Sequence, residues 1–410
     1  MDLAEENYNN SKISDIISNI LTLRYNPSQN SPVPEFTWKD FIPNNNEISE
    51  VIIENKIENY LQQNIGDSNS TISISLSGGI DSSLVLGYIR KLFPNITIEA
   101  VSIKFLDSID ETQDAKRIAE HFGAEHSILE VNNYLEILPL AIGITKMPFW
   151  DNHWYFISEF ANKKSKFLAS GDGGDEIFGG YTFRYKKFIT QINSNSTPIE
   201  KVHAYLNCHE RDWVIDQNQV FGNMSNFSWD KIYSILLPFF DNSLNPLGQV
   251  FLADYNGKLR YNFSHVNNSI NNHFGLNSIS PLLSTDLISL LSHCKYDSKY
   301  DKSQNTGKIF LRQLLDNFGI NHLISKTKLG FSVNTSNLWK NYGKEIFDYY
   351  VDNGRVVKDG WINQEWISKY KNKSDLDIRH VNKLLGILAL EIWYRIFITN
   401  ELDRNSKLSF

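Results

Sequence analysis

The chain is poor in cysteine: Cys208 and Cys294 are its only two among 410 residues. Far apart in sequence, they suggest neither a disulfide framework nor a zinc cluster. Long hydrophobic runs are also missing. No stretch of about 18 apolar residues occurs, so no membrane span is expected. The opening MDLAEENYNN has neither the basic nor the apolar region of a secretory signal. Positive charge is not in excess either. Forty Lys and Arg face 47 Asp and Glu, for a net charge of −7 and an isoelectric point near 5.8. That balance argues against a general nucleic-acid binder, though not against a local basic pocket for a nucleotide. The expectation is a soluble cytoplasmic protein with no nucleic acid and no membrane among its partners.

What the chain does have is 41% hydrophobic and 13% aromatic residues, enough to exclude wholesale disorder. Its length favours two domains. Residues 1–46, which include YNPSQNSPVPEF, read as an irregular segment or cap. From Ile48 to Ile65 the spacing of Val51, Ile52, Ile57, Tyr60, Leu61 and Ile65 suggests a helix. TISISL follows as a strand, SSLVLGYIRKLF as a helix and TIEAVSIKF as a strand. ETQDAKRIAEHFG reads as a helix closed by Gly123, SILEV as a strand, Tyr155 to Lys164 as a helix and KFLAS as a fourth strand. Strands alternating with helices predict an α/β domain over 47–188, a parallel sheet with helices on both faces. Beyond about residue 188 the alternation fades, and 189–410 reads as a mainly helical substrate-side domain.

Two strands end in glycine and acid. ISLSGGIDSS follows the first, where Gly78 and Gly79 would let the backbone approach a phosphate. The helix behind them would offer amides and its dipole, with Ser77, Ser82 and Ser83 adding hydroxyls. Asp81 would be repelled by phosphate unless Mg²⁺ lay between them. A plain glycine turn with a serine cap explains this stretch alone equally well. It is neither a Walker loop, which ends G-K-[ST], nor G-x-G-x-x-G. The second turn, Ser170-Gly171-Asp172-Gly173-Gly174-Asp175-Glu176, crowds three acids into seven residues. Such crowding repels unless a cation relieves it. Ligands of parallel sheets bind beyond the carboxyl ends of the strands, so both turns should face one crevice.

SGGIDSS resembles the SGGxDS loop of the ATP pyrophosphatases, and SGDGGDEIFGGY resembles the SGEGSDE-x-FGGY hallmark of asparagine synthetases. The likeness is good over about 48–188 and weaker to about 340. It implies a PP-loop ATP pyrophosphatase fold and an ATP-dependent, AMP-forming amide ligase. Such an enzyme adenylates a carboxylate, releases pyrophosphate and passes the acyl group to ammonia or an amine. Carried onto matching positions, it implies ATP contacts from Leu76, Ser77, Gly78, Gly79, Asp81, Ser82, Ile103, Ser170 and Gly171, with Ser83 beside them. Asp81 and Asp175 would bind Mg²⁺. Lys328 of KTKLGF would neutralise the reacting phosphates. GKIFLRQLL, with Lys308 and Arg312, resembles the family's KxxLR helix, where packing is the expected role.

Departures from the family pattern bear on the substrate. Residue 2 is aspartate, not the cysteine of a glutaminase, and few residues precede the first loop, so glutamine hydrolysis is not expected. Asn277 and Ile279 stand where the resemblance implies a glutamate and an arginine. Asp151, Asn152 and His153, flanked by Trp150 and Trp154, together with Asn277 form the expected substrate pocket, with His153 more readily structural than basic. The acid could be small, or carried by a peptide or glycan, and a separate protein could supply the ammonia. Two other readings are an asparagine synthetase using external ammonia and an ATP-binding pseudoenzyme or partner subunit. The tRNA-modifying branch of the loop superfamily is disfavoured by the FGGY hallmark.

Overall fold

The computed structural model describes residues 8–44, 48–66, 71–105, 108–324 and 333–408. A five-stranded parallel sheet organises the molecule. Its strands are β1 (Ile72–Ser75), β2 (Ile98–Phe105), β3 (Glu125–Val131), β4 (Phe167–Ala169) and β5 (Asn277–Ile279), in the order β3-β2-β1-β4-β5. Between them run α3 (Ile80–Leu92), α4 (Thr112–His121), α5 (Leu138–Thr145) and α6 (Trp154–Asn162). The expected parallel α/β fold is therefore present. β1 and β2 are buried almost throughout, as strands covered on both faces are, although Ser73, Ser75, Glu99 and Ser102 lie among their apolar residues. Gly123 sits at φ +60° beyond α4, where a side chain would strain the turn.

The sheet puts β1 and β4 side by side, with Ser73 opposite Leu168 and Ile74 opposite Ala169. Their two following turns leave from the same edge. β5 was not foreseen: the stretch lies in the half expected to be helical, and a three-residue strand carries too little alternation to be read. Apolar packing also continues across residue 188, since one buried cluster joins Leu84 and Phe178 to Leu252 and Leu314. No helix among the described residues is long and apolar enough to cross a membrane.

The N-terminal segment corrects the expectation of irregular structure. Asn10–Leu23 forms α1, capped by the Asn9 side chain on the Lys12 amide. Ser14, Ser18, Asn19 and Thr22 are buried along with its isoleucines. Ile13, Ile16, Ile17, Ile20 and Leu21 recur at helical spacing and form its buried apolar stripe, a pattern that the reading of 1–46 as irregular passed over. α2 (Glu50–Ile65) buries Ile53, Ile57, Leu61 and Ile65, every fourth residue, while Val51 and Ile52 face solvent.

Lys383, on the final helix Ile378–Phe397, reaches the end of α1. Its Nζ donates to the carbonyls of Leu21 and Asp212. Burial pulls its pKa down to about 7, against the raising effect of Asp212. The unfolded chain then holds the extra proton between about pH 7 and pH 10, so this group makes stability rise with pH across that window. Lys383→Met is expected to flatten the rise, which urea titrations of both proteins at pH 7 and pH 9 would show. Ile17, fully buried, should cost about 2–5 kcal/mol when truncated to alanine. A surface-like loss of a few tenths would show that α1 is not part of the core.

Candidate functional site

The two glycine-acid turns pack against each other before any ligand is considered. After β1 the chain turns through Gly78 at φ +73° and enters α3 at Gly79. The Ser77 hydroxyl accepts from the Gly79 amide at 3.4 Å and lies 3.4 Å from Ser82 Oγ. No side chain caps α3, whose first-turn amides lack intrahelical partners as at any helix start. The turn after β4 presses directly on this helix start. A Cβ on Gly171 would lie 2.6 Å from the Ser82 amide nitrogen, and one on Gly174 would lie 2.4 Å from Asp81 Cγ. These two glycines therefore serve the contact between the turns. Beyond β4, Gly174–Phe178 forms the short helix α7.

The acids of the second turn find separate partners. Asp175 Oδ1 and Asp81 Oδ2 converge on one ammonium, Lys308 Nζ, at 2.5 and 2.6 Å. Lys308 is buried and precedes the helix Ile309–Asp316 with φ +58°, an uncommon conformation for a residue with a side chain. Its amide donates to the Phe178 carbonyl at 3.1 Å. Packing alone was the expected role of Lys308; instead it holds the two carboxylates together. Gly180 makes room for this pair, since a Cβ there would meet Asp175 Oδ1 and Lys308 Cε. Glu176 accepts from the Tyr181 hydroxyl at 2.6 Å, and burial with the nearby Asp175 charge pushes its carboxyl up to about 7. Asp172, half-buried, accepts from Asn267 Nδ2 at 2.8 Å, and desolvation raises its pKa. Tyr181 in turn stacks under Arg184 at 4.0 Å, and Arg184 pairs with Asp254 at 2.9 Å. The FGGY stretch thus bends a tyrosine back onto the acidic turn.

A cavity of about 240 Å³ opens at this edge of the sheet. Of the expected site residues, Ser77, Asp81, Ser82, His153, Ser170, Gly171 and Asp175 line it. Asp172, Glu176, Tyr181, Leu259, Phe263 and Asn267 also line it, and none had been given a role. Asp172 was visible only as one of three acids, and nothing in its spacing distinguished it. Leu76, Gly78, Gly79 and Ser83 are absent from the lining. Leu76 continues the β1–β2 ladder, and Ser83 is fully buried. Ile103 is buried in β2 opposite Leu129, one strand beyond β1, and does not line the cavity.

The remaining pocket candidates divide. Asp151 stands behind His153, with Oδ1 3.4 Å from His153 Nδ1 and Oδ2 2.9 Å from the Arg24 guanidinium. Asn152 is fully buried and donates to the Phe149 carbonyl, so it shapes the loop and does not reach the cavity. Asn277 does not reach it either. It is exposed at the amino end of β5, opposite Phe167, whereas the cavity lies at the carboxyl ends. The Ile279 side chain is buried opposite Ala169 while its carbonyl accepts from the Ser170 amide at 3.0 Å, and Ser280 Oγ lies 3.0 Å from Ser170 Oγ. Arg312 donates to the Gly307 carbonyl at 3.0 Å. Lys328 lies outside the described residues.

The family described as asparagine synthase matches residues 61–395. The chain belongs to the asparagine synthase family. A putative asparagine synthetase [glutamine-hydrolyzing] of Methanocaldococcus jannaschii is 34% identical over 119 residues, 28% of this chain and 23% of that protein. Asparagine synthetase [glutamine-hydrolyzing] 1 of Bacillus subtilis is 21% identical over 81% of this chain. The chain spans 57% of that relative's length. An NH(3)-dependent NAD(+) synthetase of Malacoplasma penetrans is 26% identical over 167 residues, 38% of this chain and 67% of that protein.

Within this asparagine synthase fold, the contact between the turns is testable without a substrate. Gly174→Ala forces a methyl group onto Asp81 and is expected to cost about 1–3 kcal/mol in urea unfolding, as overpacking does. An unchanged midpoint would show that the turns separate freely.

Proposed function

We propose that this chain is an ATP-dependent, AMP-forming amide ligase that activates a substrate carboxylate and transfers it to ammonia or an amine. The observation that carries the reading is the convergence of Asp81 and Asp175, from two different turns, on one cation position at the edge of a cavity. Magnesium is commonly held by one or two carboxylates together with substrate phosphates. Among the described residues there is no group of three or more His, Cys, Asp or Glu side chains suited to a metal. A two-carboxylate site completed by phosphate oxygens fits what is present, and the Lys308 ammonium already marks where positive charge is stable.

Asp81 and Asp175 would hold Mg²⁺, which when bound neutralises charge developing on the pyrophosphate leaving group. The Ser77 and Ser82 hydroxyls and the first amides of α3 would bind phosphate oxygens. Lys308, whose ammonium occupies that position in the structure, would move aside for the metal and lend its charge to the phosphates, and Lys328 is assigned a similar role by its place in KTKLGF. Holding ATP and acid in one crevice would align the carboxylate with the α-phosphorus, the contribution that positioning makes to such a displacement. The acid is small, or part of a peptide or glycan. The names of the relatives include both glutamine-hydrolysing and ammonia-dependent enzymes, and ammonia from a separate source is the proposed donor here.

The test is ATP–pyrophosphate exchange with a panel containing L-aspartate, glucuronate and benzoate. Asp81→Asn and Asp175→Asn should each lower exchange by about 100-fold or more, with the far-ultraviolet circular dichroism spectrum retained. Undiminished exchange in Asp81→Asn would sink the metal assignment. ATP binding without exchange for any acid would point instead to a nucleotide-binding partner protein.

A further inference from the structure

The residues that line the cavity make two chemically unlike surfaces. Serines and acids of the two turns, among them Ser77, Ser82 and Asp175, form one. Leu259 and Phe263 form the other, with Asn267 following them, every fourth residue along one side of a helical segment. That segment, Tyr255–Phe263, is a π-helix that continues into the helix Ser264–His273. It kinks at Gly257, whose φ and ψ of −94° and −105° are non-helical, and a Cβ there would lie 3.1 Å from the Tyr25 ring. Wide turns of this kind are frequent at functional sites. The three residues between Leu259 and Phe263 bind the N-terminal segment. Arg260 Nε donates to the Val33 carbonyl, Tyr261 stacks on Tyr25 at 6.1 Å, and Asn262 donates to the Arg24 carbonyl at 2.6 Å. Leu259 and Phe263 are left to the side that lines the cavity.

This apolar surface is fixed against the second turn. Asn267 donates to Asp172 at 2.8 Å. Asn271, one helical turn on, donates to Ser278 Oγ at 2.8 Å and accepts from the Trp154 indole at 2.9 Å. Leu259 is buried, whereas Phe263 is 41% exposed and belongs to neither of the two buried apolar clusters. A single exposed phenylalanine is ordinary. Phe263 differs in lining the same cavity as Leu259 and Trp154, whose indole N–H is already taken by Asn271. The carboxyls of Asp81, Asp172, Asp175 and Glu176 belong to residues that line that cavity too. A second carboxylate carried by the acid would meet like charge there, and an apolar group would not.

We propose that the substrate activated here is a monocarboxylic acid whose remaining part is apolar, an aromatic ring or a branched alkyl chain, packed against Leu259 and Phe263. The proposal rests on the adenylation reading and names its substrate class. With the carboxylate where Asp81 and Asp175 converge, the apolar part gains by leaving water. Leu259 and Phe263 offer no hydrogen-bond partner, and Asn267 beside them already donates to Asp172. An amino or second carboxyl group on the acid would therefore lose the bonds it makes to water. The adenine ring is less suited to this surface for the same reason, since its ring nitrogens and amino group need partners.

The experiment measures ATP–pyrophosphate exchange by the full chain with the three acids named above, phenylacetate and isovalerate. The best of benzoate, phenylacetate and isovalerate should exceed L-aspartate and glucuronate by about 100-fold in kcat/KM, a scale that contacts to an apolar group reach. Phe263→Ala should raise KM for that acid about 10-fold and leave KM for ATP within about twofold, as loss of binding shared by ground and transition states does. Phe263→Leu should recover most of the loss. Should the alanine variant fail to fold, Phe263→Gln carries the same test. Exchange that favours L-aspartate or glucuronate, or an unchanged KM for the acid in Phe263→Ala, overturns the proposal and leaves adenylation standing. A rise in KM for ATP alone also overturns it, and assigns the surface to adenine. No exchange by the wild-type protein with any of the acids overturns both.

Discussion

The site depends on the close approach of two turns that leave adjacent parallel strands. β1 and β4 pair in the middle of the sheet, and the backbone of Gly171 and Gly174 lies directly on the start of α3. A methyl group at either position would occupy space already filled by Ser82 or Asp81. With the turns in contact, Asp81 and Asp175 come within reach of one cation. Without that contact each would be an isolated acid at a strand end.

Bringing carboxylates together is unfavourable, and the protein answers it with different partners for each. Lys308 bridges Asp81 and Asp175 from a strained backbone position, a cost that persists where surrounding structure overdetermines it. Glu176 is raised toward neutrality by burial and held by Tyr181, while Asp172 is held by Asn267. A second layer, from Arg184 and Asp254, supports Tyr181 from behind. Most of these supports come from residues beyond 188. The segment read as a substrate-side domain thus supplies the charges and amides that keep the acidic turn in place.

Much of this was legible in the sequence where periodicity or local motif carried it. Strands β1 to β4, helices α3, α4 and α6 and the two glycine-acid turns follow from alternation, spacing and punctuation, whereas α5 was not read. α1 was legible but missed: Ile13, Ile16, Ile17, Ile20 and Leu21 carry the helical stripe, and only the YNPSQNSPVPEF beyond it is irregular as read. β5 was too short to alternate. Asn277 was misplaced for a related reason: a position in a motif says nothing about which end of a strand it occupies, and here it lies at the end away from the cavity.

The amino-acid sequence by itself determined the alternation of strands with helices, from which a parallel α/β fold follows, and the presence of two acidic glycine turns, since both are local patterns along the chain. Only the tertiary structure decided which side chains meet. Lys308 is 227 residues from Asp81, and Arg24 is 127 from Asp151. Pairings at that separation are set by how helices pack on a sheet, and no local pattern of residues encodes them.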